Sequence, residues 1–225
     1  YEALSHAGIA NSVKVSFRPV EAEELDKRPH DELFEGISGI LVPGGFGDRG
    51  VPGKIKAVRY AREHGIPFFG ICLGMQCAVI EFARDVCGME NANSTEFDPH
   101  TSHPVIDLME EQKGVTAKGG TMRLGKYPCV ITPGTKMADC YGTTEIDERH
   151  RHRYEFNNAY KAEYEAAGMQ CTGINPESDL VEIVEIPALK WFVGTQFHPE
   201  YSSTVLHPHP LFVAFVKAAI ENETK

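Results

Sequence analysis

Residues 67–76, Pro67-Phe68-Phe69-Gly70-Ile71-Cys72-Leu73-Gly74-Met75-Gln76, set a short apolar run against a segment of helical periodicity. The run through Ile71 reads as a buried strand. The residues after Leu73 read as a helix running toward Val86, with Gly88 as its stop. Cys72 falls at the junction. A sharp strand-to-helix turn exposes its sulfur at the carboxyl end of a sheet, where free amide donors and the helix dipole favour a thiolate. Gly70 and Gly74 are expected to permit close approach and unusual dihedrals. By spacing alone, the stretch is equally compatible with a small, inert buried cysteine.

Working outward, Gly39-Ile40-Leu41-Val42-Pro43 is a short strand running into Gly44-Gly45-Phe46-Gly47, and Lys54 to His64 is a helix stopped by Gly65. Strand, helix, strand, helix at this spacing predicts an α/β domain with a mostly parallel sheet covered on both faces. Val13 to Phe17 alternates with period two and reads as a further strand, and Glu21 to Leu33 as a turn with a short helix. Downstream, Thr121-Met122-Arg123-Leu124 and Cys129-Val130-Ile131 read as short strands. Asn157 to Ala167 reads as helical. Val181 to Ile186 reads as a half-buried strand, with Trp191 to Phe197 as its hairpin partner. Pro210 to Ile220 is an amphipathic closing helix.

The chain has 225 residues, 42% of them hydrophobic, enough to bury a core as one large domain. Its net charge of −10 points away from nucleic acid. No run approaches the roughly 20 apolar residues needed to cross a membrane, and the start lacks the pattern of a signal peptide. The six cysteines (Cys72, Cys77, Cys87, Cys129, Cys140 and Cys171) form no CxxC pair and no zinc spacing, so no metal site is expected. Reduced thiols and a cytoplasmic location are expected instead.

Far from Cys72 in sequence stands Thr195-Gln196-Phe197-His198-Pro199-Glu200. His198 is a candidate base for the thiol and acid for a leaving amine. Glu200, two residues on, shares a face with His198 only in extended backbone, and there it could orient the imidazole. The glycines at 44–47 and the Leu73 N–H could supply donors to an oxyanion. A phosphate loop would need a Lys-Ser/Thr ending, and a dinucleotide fingerprint would need GxGxxG; both patterns fail here. The chemistry indicated is attack on an amide or ester carbonyl. A hydrogen-bonded strand-end histidine and a solvated glutamate remain the bland alternatives.

Together, the segments at 43–47, 70–76 and 197–200 resemble the class I, triad-type glutamine amidotransferases. Further segments, Gly119 to Gly125, Arg149 to Asn157 and His207 to Phe212, resemble the glutaminase domains of the CTP synthase family, over nearly the whole chain. The resemblance implies a three-layer, flavodoxin-like fold over residues 1–225, with a small antiparallel part. It implies hydrolysis of L-glutamine through a Cys72 thioester, with His198 shuttling the proton, Glu200 holding His198, and Gly45 and Leu73 forming the oxyanion hole. Gly45, Gln76, Glu96 and Arg153 match substrate-binding positions. The partner implied is a synthetase (amidoligase) domain of the same polypeptide, outside this chain, in a homotetrameric enzyme. ATP, Mg and GTP are implied for the full-length enzyme and no cofactor for this domain.

Three departures accompany the resemblance. The family's first strand precedes the helix holding Glu2-Ala3-Leu4, so this chain reads as a piece of a longer polypeptide. Gln112 to Val115 joins abruptly to Gly119-Gly120. Residues 202–206 lack an arginine common in the family. Competing readings are an amidotransferase of another pathway, a gamma-glutamyl hydrolase, a cysteine protease and a non-catalytic regulatory module.

Overall fold

In the computed structural model, residues 1–108 and 122–223 are described. Strand β1 (Ile40–Val42) leads through helix α3 (Val51–His64) to β2 (Phe68–Ile71). The preceding helices are α1 (Glu2–Ala10) and α2 (His30–Leu33). Helix α3 ends on Gly65 in the left-handed conformation, as its sequence predicts. Helix α4 (Leu73–Asp85) follows β2 directly. The later strands of the main sheet are β5 (Arg123–Ile131), β6 (Glu145–His152), β8 (Gln170–Ile174), β9 (Val181–Glu185) and β10 (Phe192–Thr195).

The sheet order is β1-β2-β10-β9-β8-β5-β6. Phe68 and Phe69 sit in register with Phe192 and Val193, and the period-two pleat sends alternate residues to opposite faces. Phe68, Phe192 and Val184 enter a core with α3 and α4. Phe69, Val193 and Ile183 enter a second core with α1, α5 (Lys136–Tyr141) and α7 (Pro210–Glu223). The three-layer α/β arrangement is as expected.

The sheet itself is mixed rather than mostly parallel. β1, β2 and β10 pair in parallel, whereas β10-β9, β9-β8, β8-β5 and β5-β6 are antiparallel. The cause is connection length: residues 175–180 and 186–191 are too short to hold the crossover helix that a parallel neighbour requires.

Four expectations are revised. Val13 to Phe17 joins no ladder among the described residues; Val15 packs on the second core, so the alternation reflects one-sided packing without a strand partner. The two short strands near 121–131 are one continuous β5, because β6 pairs along nearly its whole length; Thr121 lies outside the described residues, as do Gln112 to Val115 and Gly119-Gly120. Strand β9 is buried at all five residues, not half-buried, because helices cover both faces. Asn157 to Ala167 splits into a 3₁₀ turn (Asn158–Tyr160) and α6 (Lys161–Ala167).

A second sheet of β3 (Ala92–Ser94), β4 (His103–Leu108) and β7 (Tyr154–Phe156) stands beside α4. It brings Glu96, Arg153 and Tyr154 toward the carboxyl end of the parallel strands.

Candidate active site

The turn at Cys72 is built from backbone strain and close packing. Cys72 has φ 53° and ψ −105° and stands at the N-cap of α4, in a region that non-glycine residues occupy at a cost of about 1–3 kcal/mol. The unusual dihedral thus belongs to the cysteine, while Gly70 and Gly74 have negative φ and serve only close approach. A Cβ on Gly74 would stand 2.0 Å from the Val42 carbonyl oxygen, so only glycine lets α4 rest on β1. The Cys72 N–H donates to the Thr195 carbonyl at 2.7 Å, and the Cys72 carbonyl accepts from Gln76 N–H at 3.1 Å. The elbow is therefore tied both to β10 and to its own helix.

His198 and Glu200 meet, but not in the extended backbone expected of them. Residues Pro199–Ser202 form a 3₁₀ turn with His198 as its N-cap. The turn folds Glu200 back so that its Oε1 lies 2.6 Å from His198 Nδ1. Pro at the first position, lacking an N–H, suits such a turn. With Nδ1 donating to the carboxylate, Nε2 is left as the basic nitrogen. Nε2 is buried with no hydrogen-bond partner among the described residues. A Cβ on Gly44 would sit 2.8 Å from His198 Cε1 and 3.5 Å from Cys72 Cβ, which puts imidazole and thiol on either side of one backbone segment. Gly45 lies against Leu73, where a Cβ would come 3.2 Å from Leu73 Cδ2.

Burial pushes the Cys72 thiol up to about 12, and the charges of Glu155, Glu200 and Glu96 push the same way; a hydrogen bond from the Leu73 backbone opposes them. Cys72 is 3% exposed. The remaining cysteines are also free thiols.

Glu96 accepts from Gly47 N–H at 3.4 Å. Burial raises its carboxyl, and the Gly47 contact and the nearby Arg153 charge oppose that rise. Gln76 is buried, its Nε2 donating to the Tyr154 carbonyl at 3.0 Å and to Gln196 Oε1 at 3.2 Å. Thus Gln76, Glu96 and Arg153 do converge around the elbow. Gln196, whose Nε2 lies 3.7 Å from Cys72 Sγ, was missed in the sequence. Its place between Thr195 and the histidine segment was the available signal.

The basic segment at 149–153 is not a solvated loop. Arg149 and Arg151 face outward on β6, and Glu148, His150 and His152 face inward. Beneath them, Arg123 Nη1 contacts Glu182 at 2.6 Å and Glu155 at 3.5 Å. His150 Nδ1 and His152 Nε2 are 2.7 Å apart, which requires at least one neutral ring. Burial holds both down, to about 2 for His150 and about 3 for His152; the His152 ring lowers His150 further, and the Arg123 charge lowers both. Glu155 is pushed well above the carboxylate range by burial and then by Glu182, with Arg123 opposing.

These groups carry opposite pH signs. The imidazoles protonate in the unfolded chain near 6.5 but stay neutral when folded, so their stabilisation is lost as pH falls from 6.5 toward 3. Glu155 keeps its proton when folded, so its contribution is lost as pH rises above 4.5. Glu155→Gln removes the second effect alone. Its thermal midpoint is expected to climb more steeply than the parent's between about pH 5 and 6.5, as melts across that range would record.

A strained strand-to-helix cysteine, a histidine–glutamate pair and a mixed α/β sheet together define a family. Residues 1–218 match the family model described as Glutamine amidotransferase class-I, and the chain belongs to that family. Within it, the chain falls among CTP synthase glutaminase domains. It is 40% identical to the glutaminase domain of Trypanosoma brucei CTPS, solved with bound acivicin, with a TM-score of 0.91, covering 97% of this chain and 86% of that one. It is 65% identical to the CTP synthase of Bacteroides thetaiotaomicron over 99% of this chain, and 58% identical to that of Caldanaerobacter subterraneus over 97%. The chain spans 41% of the length of each of these two curated relatives. A GMP synthase protein from Thermoplasma acidophilum, 16% identical with a TM-score of 0.61 over 97% of this chain and 87% of that one, shares the fold.

Proposed function

We propose that this chain hydrolyses L-glutamine to glutamate and ammonia. The observation that carries this reading is the strained Cys72 at the head of α4 with the His198–Glu200 pair beside it. His198 Nε2 takes the Cys72 proton as Sγ bonds to the side-chain carbonyl carbon, and the oxygen gains the negative charge. The Gly45 and Leu73 N–H groups receive that oxyanion. Collapse breaks the carbon–nitrogen bond while the imidazolium returns its proton to nitrogen, releasing ammonia. Water, deprotonated by His198, then attacks the thioester and frees Cys72. Glu96 takes the substrate ammonium, Arg153 its carboxylate, and Gln76 the same backbone end.

The relatives are longer, and on that ground the ammonia feeds an ATP-dependent amination of UTP to CTP. A synthetase domain of the same polypeptide would carry out that step, in a cytoplasmic homotetramer using Mg and stimulated by GTP. Residues 1–225 form the glutaminase unit. Among the described residues, no helix is long and apolar enough to cross a membrane.

The test is alkylation by a glutamine-like chloroketone, whose carbon the thiolate attacks with loss of chloride. One adduct is expected, on Cys72, slowed by glutamine and by His198→Ala. Labelling that ignores both would overturn the reading.

A further inference from the structure

Two buried amides form a relay that ends on the nucleophile. Gln76 Nε2 faces the Tyr154 carbonyl at 3.0 Å, and a carbonyl can only accept. That contact decides which end of the Gln76 amide is nitrogen. Its second N–H then points to Gln196, 3.2 Å away, which must present its oxygen. With Oε1 committed there, Gln196 Nε2 is turned to Cys72 Sγ, 3.7 Å off. The Gln196 backbone N–H is itself anchored on the Glu182 carbonyl at 2.8 Å, and the residue is fully buried. Orientation is thus set by a chain of obligatory roles running from a fixed backbone oxygen to the sulfur.

We propose that Gln196 is a positioning residue for the glutaminase reaction: it donates a hydrogen bond that holds and stabilises the Cys72 thiolate, with Gln76 fixing the direction of that bond. The inference rests on the glutaminase reading for its purpose but not for its test. The need for such a donor is local. Cys72 is packed among Glu155 from β7, Glu200 from the 3₁₀ turn and Glu96 from the loop after β3, all disfavouring negative sulfur. His198 is the proton acceptor, and the Leu73 N–H sits at the helix start. A second neutral donor offsets the carboxylates without adding a charge that titrates. It also leaves the Leu73 N–H available to the oxyanion once sulfur has bonded to carbon.

The experiment reads the thiol without glutamine. Iodoacetamide labelling of Cys72 is followed by peptide mass spectrometry from pH 6 to 10 in the parent, Gln196→Met and Gln196→Glu, with the other cysteines as internal controls. In Gln196→Met, labelling is expected to be about tenfold slower along the rising limb, a shift of about one pH unit. Gln196→Glu, which places a carboxylate on the sulfur, is expected to be slower still. A purely packing role predicts the reverse: a looser pocket, faster labelling and an unmoved limb, which would overturn the proposal.

A second measurement needs no variant of Gln196. In the parent, the nitrogen-15 resonance of the Gln196 side-chain amide is expected to follow the Cys72 limb and to lose that dependence in Cys72→Ala. A resonance blind to the limb would also overturn the proposal. Failure of glutamine hydrolysis alone would leave both readouts standing and would count against the glutaminase reading instead.

Discussion

Cys72→Ala is expected to lower ammonia release from L-glutamine by about 10⁴-fold or more. The loss follows from what remains. Without Sγ no thioester can form, and His198 with Glu200 can only activate water toward an amide, a far poorer leaving-group reaction. The fold should persist, because the Cys72 backbone is held by Thr195 and Gln76 rather than by its sulfur. A glycine at the same position adds a control. Cys72 holds a positive φ of 53°, so Cys72→Gly is expected to be as inactive as Cys72→Ala yet more stable by about 1 kcal/mol, by release of backbone strain. Ammonia assays and thermal melts on the three proteins check both halves. Retained activity in either variant would remove the nucleophile from Cys72.

Arg123→Met is expected to destabilise the domain by about 3–5 kcal/mol, since it leaves Glu182 and Glu155 buried without their shared cation. For a chain of this size that is a fall of roughly 10 °C in the melting midpoint. The exposures are what make the loss large: Arg123 is 6% exposed and Glu182 fully buried, so water cannot replace the missing charge. A second substitution, Glu182→Leu, on the Arg123→Met background should recover most of the loss, because an apolar replacement of both partners has no charge left to desolvate. The salt-bridge reading fails if the double variant is no more stable than the single one.

Part of the site was legible because its residues carry chemistry in their local order. Cys72 between an apolar strand and a helix, the glycines after β1, and His198 with Glu200 at spacing two need no partner segment to be noticed. The reason Glu200 meets His198 was not legible, because both extended backbone and a 3₁₀ turn can join residues two apart, and Pro199 is allowed in either. Gln196 was overlooked because a glutamine at a strand end has no chemistry until the Tyr154 carbonyl and the Gln76 amide are brought beside it. The charged run at 149–153 read as surface because charge patterns with solvent. That Glu148, His150 and His152 turn inward was decided by pairing of β6 with β5, which places Arg123 and Glu182 on the inner side.

What the sequence by itself determined is the α/β class, the elements flanking Cys72, the left-handed stop at Gly65 and the triad candidates, because periodicity, caps and side-chain reactivity are properties of neighbouring residues. What only the tertiary structure decided is the mixed direction of the sheet, the burial of a charged network under the site, and the orientation of two amides around one sulfur. Each of these depends on contacts between segments far apart in the chain, where the energy lies in burial and in obligatory hydrogen-bond partners that local order does not encode.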